Sequence, residues 1–195
     1  MSLAHTRKKQ PELVRRTILD CAGQVIAEHG MAGLSIQAVA DAAGVSKGGV
    51  FHHFPNRQAL IEAMLNDLLE QGDRDIDTLM AADPIAYGRF TRAYIRLVLS
   101  DDNPDRTATS IALVQGSLFD PQTGGLWNSW LHGRLHRHAE TDSDPALEVP
   151  RLAADGAWLI TCIQDALPDA PHPDFLRSRL PALTERLLAM TYGSK

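Results

Sequence analysis

Apolar positions along this chain of 195 residues recur mainly at three- and four-residue spacing, the period that gives a helix one buried face. Leu13, Val14, Thr17, Ile18, Cys21, Ala22, Val25 and Ile26 predict a first helix. It starts near Pro11, which a first turn tolerates, and ends at His29 and Gly30. Two short segments follow. Ile36 to Ala43 carries Ser35 as its N-cap and Gly44 just past its end, and Lys47 to His53 carries Ser46 as its N-cap. Phe54-Pro55 stops the second, because a residue before proline disfavours helical angles. Asn56 then caps a long helix from Arg57 to about Ala82, with Ala59, Leu60, Ala63, Met64 and Leu68 on its apolar side and a bend expected at Gly72.

The remainder continues in the same period. One helix opens at Pro84 and carries Phe90, Tyr94, Leu97 and Val98, and another covers about Arg106 to Phe119. After a break at Pro121 to Gly125 comes a helix with Leu126, Trp127, Trp130, Leu131 and Leu135. The polar stretch Thr141 to Pro150 reads as a loop. A helix from about Arg151 to Leu167, a connector at Pro168–Pro173 and a last helix ending near Tyr192 complete the chain. Pro181 bends that last helix or marks its start. No alternating strand pattern and no repeat of 20–50 residues is present. The fold class is all-α, with about nine helices.

A content of 44% hydrophobic and 22% charged residues is that of a soluble globular protein. The net charge of −5 argues against nucleic acid until its distribution is considered. Residues 1–57 hold seven Lys and Arg against four acids, whereas the rest hold twelve against twenty. A basic N-terminal third on an acidic remainder brings one end to phosphate and keeps the other away. Arg7, Lys8 and Lys9 are followed by Gln10-Pro11-Glu12 rather than an apolar run, so a cytosolic location and no membrane span are expected. Cys21 and Cys162 lack metal-ligand spacing and read as buried thiols.

Two short helices around a glycine-led turn make a helix-turn-helix at residues 35–57. Ala40 is small where the helices cross, Gly44 permits a left-handed turn, and Val39, Val45 and Val50 fill the space between them. The stretch from Leu34 to Arg57, LSIQAVADAAGVSKGGVFHHFPNR, resembles the signature of the TetR family of transcriptional regulators, and the resemblance extends over about residues 11–65. It implies an N-terminal three-helix DNA-binding domain at 1–57 and a larger C-terminal helical domain at 58–195 that binds an effector and dimerises.

By that resemblance, Ser35 and Gln37 meet backbone or flanking bases of an operator, while Ser46, Lys47, Gly48 and Gly49 enter the major groove first. Lys47 is the leading base reader, since lysine donates to guanine O6 and N7. Phe51 and His52 share the exposed face, and His53 and Arg57 hold phosphates. Family members often carry Thr or Ser in place of Gly49 and Tyr in place of Phe51, so the groove face of this chain is less polar than usual.

In the C-terminal part, Phe90, Tyr94, Gln115, Phe119, Trp127, Trp130 and Trp158 are the candidate walls of a pocket for a small organic effector. Packing in an ordinary core is the alternative for such aromatics. Leu176, Leu180, Leu183 and Leu187 form a heptad-like seam, and Leu152, Gly156, Leu159 and Ile163 lie on the helix before it. Together these are the candidate interface of a homodimer. His132, His136 and His138 are neighbours, but Arg134 and Arg137 beside them predict a solvated face, so no metal site is expected. No catalytic constellation or cofactor motif is present, which excludes the common phosphate-loop, serine-hydrolase and zinc-protease enzymes. The expected function is a ligand-released repressor binding a palindromic operator as a dimer. The alternative is a DNA-binding regulator that is constitutive or controlled by a protein.

Overall fold

The computed structural model describes residues 3–100, 108–118, 120–166 and 175–193, with backbone alone at 3–10, 108, 109, 111, 115, 118, 165 and 166. These residues form ten α-helices and no strand: α1 (Leu3–Gly33), α2 (Ile36–Ala43), α3 (Lys47–His53), α4 (Arg57–Ala82), α5 (Arg89–Leu99), α6 (Ala108–Leu118), α7 (Gly124–Arg137), α8 (Ala139–Asp142), α9 (Glu148–Ala166) and α10 (Leu180–Ala189). None of them is long and apolar enough to cross a membrane.

The chain divides into two compact units, Met1–Leu69 with Pro104–Trp127, and Glu70–Asn103 with Asn128–Lys195. In the first, Ile18, Ala22, Ile26, Leu34, Val39, Val50, Phe54 and Leu60 form the core, and Leu113 of α6 joins it. A segment more than forty residues beyond α4's start thus returns to the N-terminal unit, which a single cut in sequence does not describe. In the second, α5, α9 and α10 pack around Ile95, Leu99, Ala154, Ala157, Leu180, Leu187 and Leu188.

Several boundaries differ from the sequence reading, each for a local reason. α1 runs from Leu3, so Pro11 lies inside it, and it continues to Gly33 through a break at Gly30. α5 begins at Arg89 rather than at Pro84, because Gly88 holds a left-handed φ of 69°. A β-carbon there would lie 2.8 Å from the Thr191 carbonyl, so only glycine fits. The expected loop at Thr141 to Pro150 contains the end of α8, a 3-10 turn at Pro145–Leu147 and the first turn of α9. Asp144 caps the turn by accepting from the Ala146 N–H, and Pro150 occupies α9's first turn, where no N–H is required.

Buried charged residues fasten the second unit. Gly88 has no side chain to cap α5, and Asp142 does so from α8, accepting from the Phe90 N–H at 3.2 Å, the Thr91 N–H at 2.8 Å and the Thr91 hydroxyl at 2.6 Å. Arg151 donates to the same Thr91 hydroxyl. Arg92, wholly buried, donates from Nε to Asp83 at 2.6 Å and from its two Nη atoms to the carbonyls of Ile85, Tyr87 and Thr191, with Tyr192 over its plane.

Candidate functional site

Local capping sets the geometry of α2 and α3. The Ser35 hydroxyl accepts from the Ala38 N–H at 3.1 Å and the Ser46 hydroxyl from the Gly49 N–H at 3.0 Å. Gly44, at φ 63° and ψ 28°, turns the chain while its N–H bonds back to α2. Val39, Ala40, Val50 and Phe54 are then fully enclosed. With those positions committed inward, Ser46, Lys47, Gly48, Phe51 and His52 are left exposed, while Gly49 and His53 are half-buried. The Lys47 ammonium sits 5.8 Å from the centre of the Phe51 ring, and His52 meets His53 edge to face. Asn56 caps α4 through the Ala59 N–H.

Two side chains beside this face are already engaged. Gln37 donates to Asp41 at 2.8 Å. Arg57 donates from Nε to the Leu34 carbonyl at 2.7 Å and from Nη2 to the Met31 carbonyl at 2.6 Å, tying the start of α4 to the α1–α2 turn.

The second unit holds a cluster of aromatic and charged side chains. Phe90 and Tyr94 on α5 are buried, with ring centres 5.9 Å apart, and Tyr94 lies 6.4 Å from Trp130. Arg134 on α7, 1% exposed, donates to Asp77 at 2.7 Å, lies 3.4 Å from Asp73 and sits over the Phe90 ring. Trp130 donates to Asp73 at 2.8 Å. The His138 ring stacks on Phe90 at 5.5 Å. Burial, then the neighbouring Arg134 charge, lower the His138 pKa, so the imidazole is neutral at neutral pH. The Tyr94 hydroxyl donates to Asp155 at 2.5 Å. Burial raises the pKa of Asp155 against the opposing effects of Tyr94 and Arg151.

On α9 the small residues Ala154 and Ala157 point into the core, whereas large apolar ones face outward. Val149 is 57% exposed, Leu152 68%, Leu159 40%, Ile160 44% and Ile163 48%, with Gly156 exposed among them.

These features match known proteins in both parts of the chain. The family description "Bacterial regulatory proteins, tetR family" fits residues 18–64, and "Tetracyclin repressor-like, C-terminal domain" fits residues 88–191. The chain belongs to the TetR family of bacterial regulatory proteins. It is 28% identical over 179 residues to the HTH-type transcriptional regulator BetI of Escherichia coli, covering 80% of this chain and 86% of that one. It is 35% identical over 57 residues to the transcriptional repressor KstR2 of Rhodococcus jostii, and 29% identical over 68 residues to KstR2 of Mycolicibacterium smegmatis. Those matches cover 29% and 35% of this chain but only 28% and 33% of the two repressors. Among solved structures, the multidrug binding protein EbrR complexed with malachite green is 25% identical, with a TM-score of 0.61 over 87% of this chain and 96% of that one.

Within this TetR-family fold, several residues stand elsewhere than expected. Arg57, assigned to phosphate, spends its guanidinium on two carbonyls at the α1–α2 turn. Leu180 and Leu187, assigned to a dimer interface, are 1% and 5% exposed and belong to the core of their own chain. These two face α5 and α9, while Leu176 and Leu183 pack against the same cluster and remain half-buried. The solvated face expected around the histidines holds for His132, His136 and Arg137 but not for Arg134, which α4's carboxylates and the Phe90 ring draw inside, nor for His138, half-buried against the same ring. Trp127 and Trp158 are half-buried, while the side chains of Gln115 and Phe119 lie outside the described residues. Asp142 and Arg134 were missed, since a polar residue's burial depends on partners far away in sequence.

Proposed function

We propose that this protein is a transcriptional repressor that binds an operator as a two-fold dimer and releases it when a small organic molecule binds the second unit. The observation that carries the reading is the α3 face, with Lys47, Gly48, Phe51 and His52 exposed above an enclosed Val39–Ala40–Val50 hinge. A recognition helix needs this combination of rigid seating and a free groove face. α9's outward Leu152, Leu159 and Ile163 support the dimer, and two recognition helices then meet two half-sites. The likeness to EbrR, a multidrug binding protein, supports an organic effector.

Gel shift with the DNA upstream of the protein's own coding sequence tests the reading, and absence of any sequence-specific shift at moderate salt rejects it. The salt dependence of binding separates the two cations of the site. Lys47→Ala is expected to lower the slope of log affinity against log salt by about one per contacting protomer and to relax base preference. Arg57→Gln is expected to lower thermal stability and leave that slope unchanged, because its donors are held by Met31 and Leu34. An equal loss of slope in both variants shows that Arg57 leaves those carbonyls for phosphate.

The two glycines of α3 give a second test. A β-carbon at Gly48 meets nothing closer than the Ser46 oxygen at 3.9 Å, and one at Gly49 nothing closer than 3.4 Å. The fold does not require glycine at either position, so Gly48→Ala is expected to stabilise the free protein by up to about 1 kcal/mol. It is expected to weaken operator binding about ten-fold, because the added methyl stands on the groove face. Anisotropy titration beside thermal melts reads both effects, and unchanged affinity dissociates Gly48 from the DNA surface.

A further inference from the structure

Resting on the effector reading above, we propose that Arg134 and His138 form the polar end of the effector site and take an uncharged aromatic molecule through a carbonyl-type oxygen. Both side chains lie against one ring, that of Phe90, and both are left with unused polar atoms. Nε and Nη1 of Arg134 and Nε2 of His138 are inaccessible to solvent and have no hydrogen-bond partner. Nη1 lies 3.4 Å from Asp73, an ion-pair distance without a hydrogen bond, and only Nη2 is satisfied, by Asp77. A buried charged donor without an acceptor is among the costlier arrangements in a folded chain, so the Arg134 atoms call for an acceptor that the chain itself does not supply, and His138 Nε2 joins them as a donor in its Nε2–H tautomer. Arginine only donates, so the group it needs is an oxygen or another acceptor.

The charge around the site narrows the class. Asp73 and Asp77 already offset the guanidinium, and a ligand carboxylate would add a third anion beside them. A ligand cation would meet Arg134 itself. A neutral ketone, ester or amide oxygen satisfies the donors without either penalty, and Phe90, Tyr94 and Trp130 supply aromatic neighbours for its ring.

The test uses the full-length 15N-labelled protein, with the Arg134 Nε–H resonance assigned by comparison with Arg134→Lys. Acetophenone is titrated beside ethylbenzene, benzoate and benzyltrimethylammonium. Acetophenone is expected to move the Arg134 Nε–H resonance and to bind at least ten-fold more tightly than the other three. His138→Phe, which keeps a ring on Phe90 and removes Nε2, is expected to weaken acetophenone several-fold and leave ethylbenzene unchanged. Equal or tighter binding of benzoate or the ammonium overturns the proposal. So does an Arg134 resonance that none of the four moves, which leaves water as the acceptor. Operator gel shifts with the same compounds separate the two readings. Release of DNA by acetophenone with Arg134 unmoved overturns this site and leaves the effector reading standing. Movement of Arg134 without release supports the site and overturns the effector reading.

Discussion

Arg92→Met is expected to lower the unfolding free energy by about 3–5 kcal/mol. Arg92 is wholly buried, and its guanidinium satisfies the Asp83 carboxylate and three carbonyls, two in the 83–88 turn and one at Thr191. Methionine fills much of the volume but donates nothing, so the Asp83 carboxylate loses its cation and the three carbonyls lose their Arg92 donor. Arg92→Met with Asp83→Asn is expected to recover part of the loss, because the carboxylate is gone, but not all of it, because the carbonyls remain. The pair also predicts a pH dependence. Burial works to raise the pKa of Asp83, but the bonds from Arg92 and the Ile85 N–H outweigh it and hold the carboxyl below its ordinary value. A carboxyl lowered on folding contributes stability above the unfolded aspartate pKa, about 4, and loses it as pH falls through the folded value. Wild-type stability is therefore expected to decline below about pH 4, and Arg92→Met to decline less steeply there. Urea melts between pH 2 and 7 measure both, and a cost below about 1 kcal/mol at neutral pH contradicts this account of Arg92.

What could be read from sequence here, and what could not, divides along the reach of the interactions. Ser35, Ser46, Gly44 and Asn56 act within four residues of themselves, and each caps or turns as the local pattern requires. The recognition-helix face follows from them, because fixing the inward residues fixes the outward ones. The second unit has no such local rule. α10 carries leucines at heptad spacing, but that spacing is satisfied equally by a partner chain or by α5 and α9, and here it is satisfied inside. α9 has two apolar faces, and only packing decides between them. Its alanines allow α5 and α10 close approach and take the inner side, which leaves the bulkier Leu152, Leu159 and Ile163 outside. Arg134, Arg92 and Asp142 are charged and would be placed on the surface by composition alone. Their partners lie 57, 9 and 51 residues away, at separations where one sequence carries no signal.

That outward face of α9 carries the second large effect. Leu152→Glu with Leu159→Glu is expected to convert the proposed dimer to monomer and to weaken operator binding about 100-fold or more, because one recognition helix then has to hold the DNA without the avidity of two. Both leucines are exposed in the single chain, at 68% and 40%, so its own core loses little and the melting temperature of the monomer reflects the lost association alone. Glutamate suits the purpose because a two-fold axis brings each substituted face near its own copy, so buried like charges repel across the interface. Leu187→Glu is the contrasting variant. At 5% exposure it belongs to the chain's own core, and it is expected to unfold the second unit rather than release a folded monomer. Sedimentation velocity, circular dichroism and anisotropy titration of the two variants distinguish these outcomes. A Leu152→Glu/Leu159→Glu protein that still sediments as a dimer moves the interface away from α9, and a Leu187→Glu protein that is folded but monomeric restores the α10 seam to it.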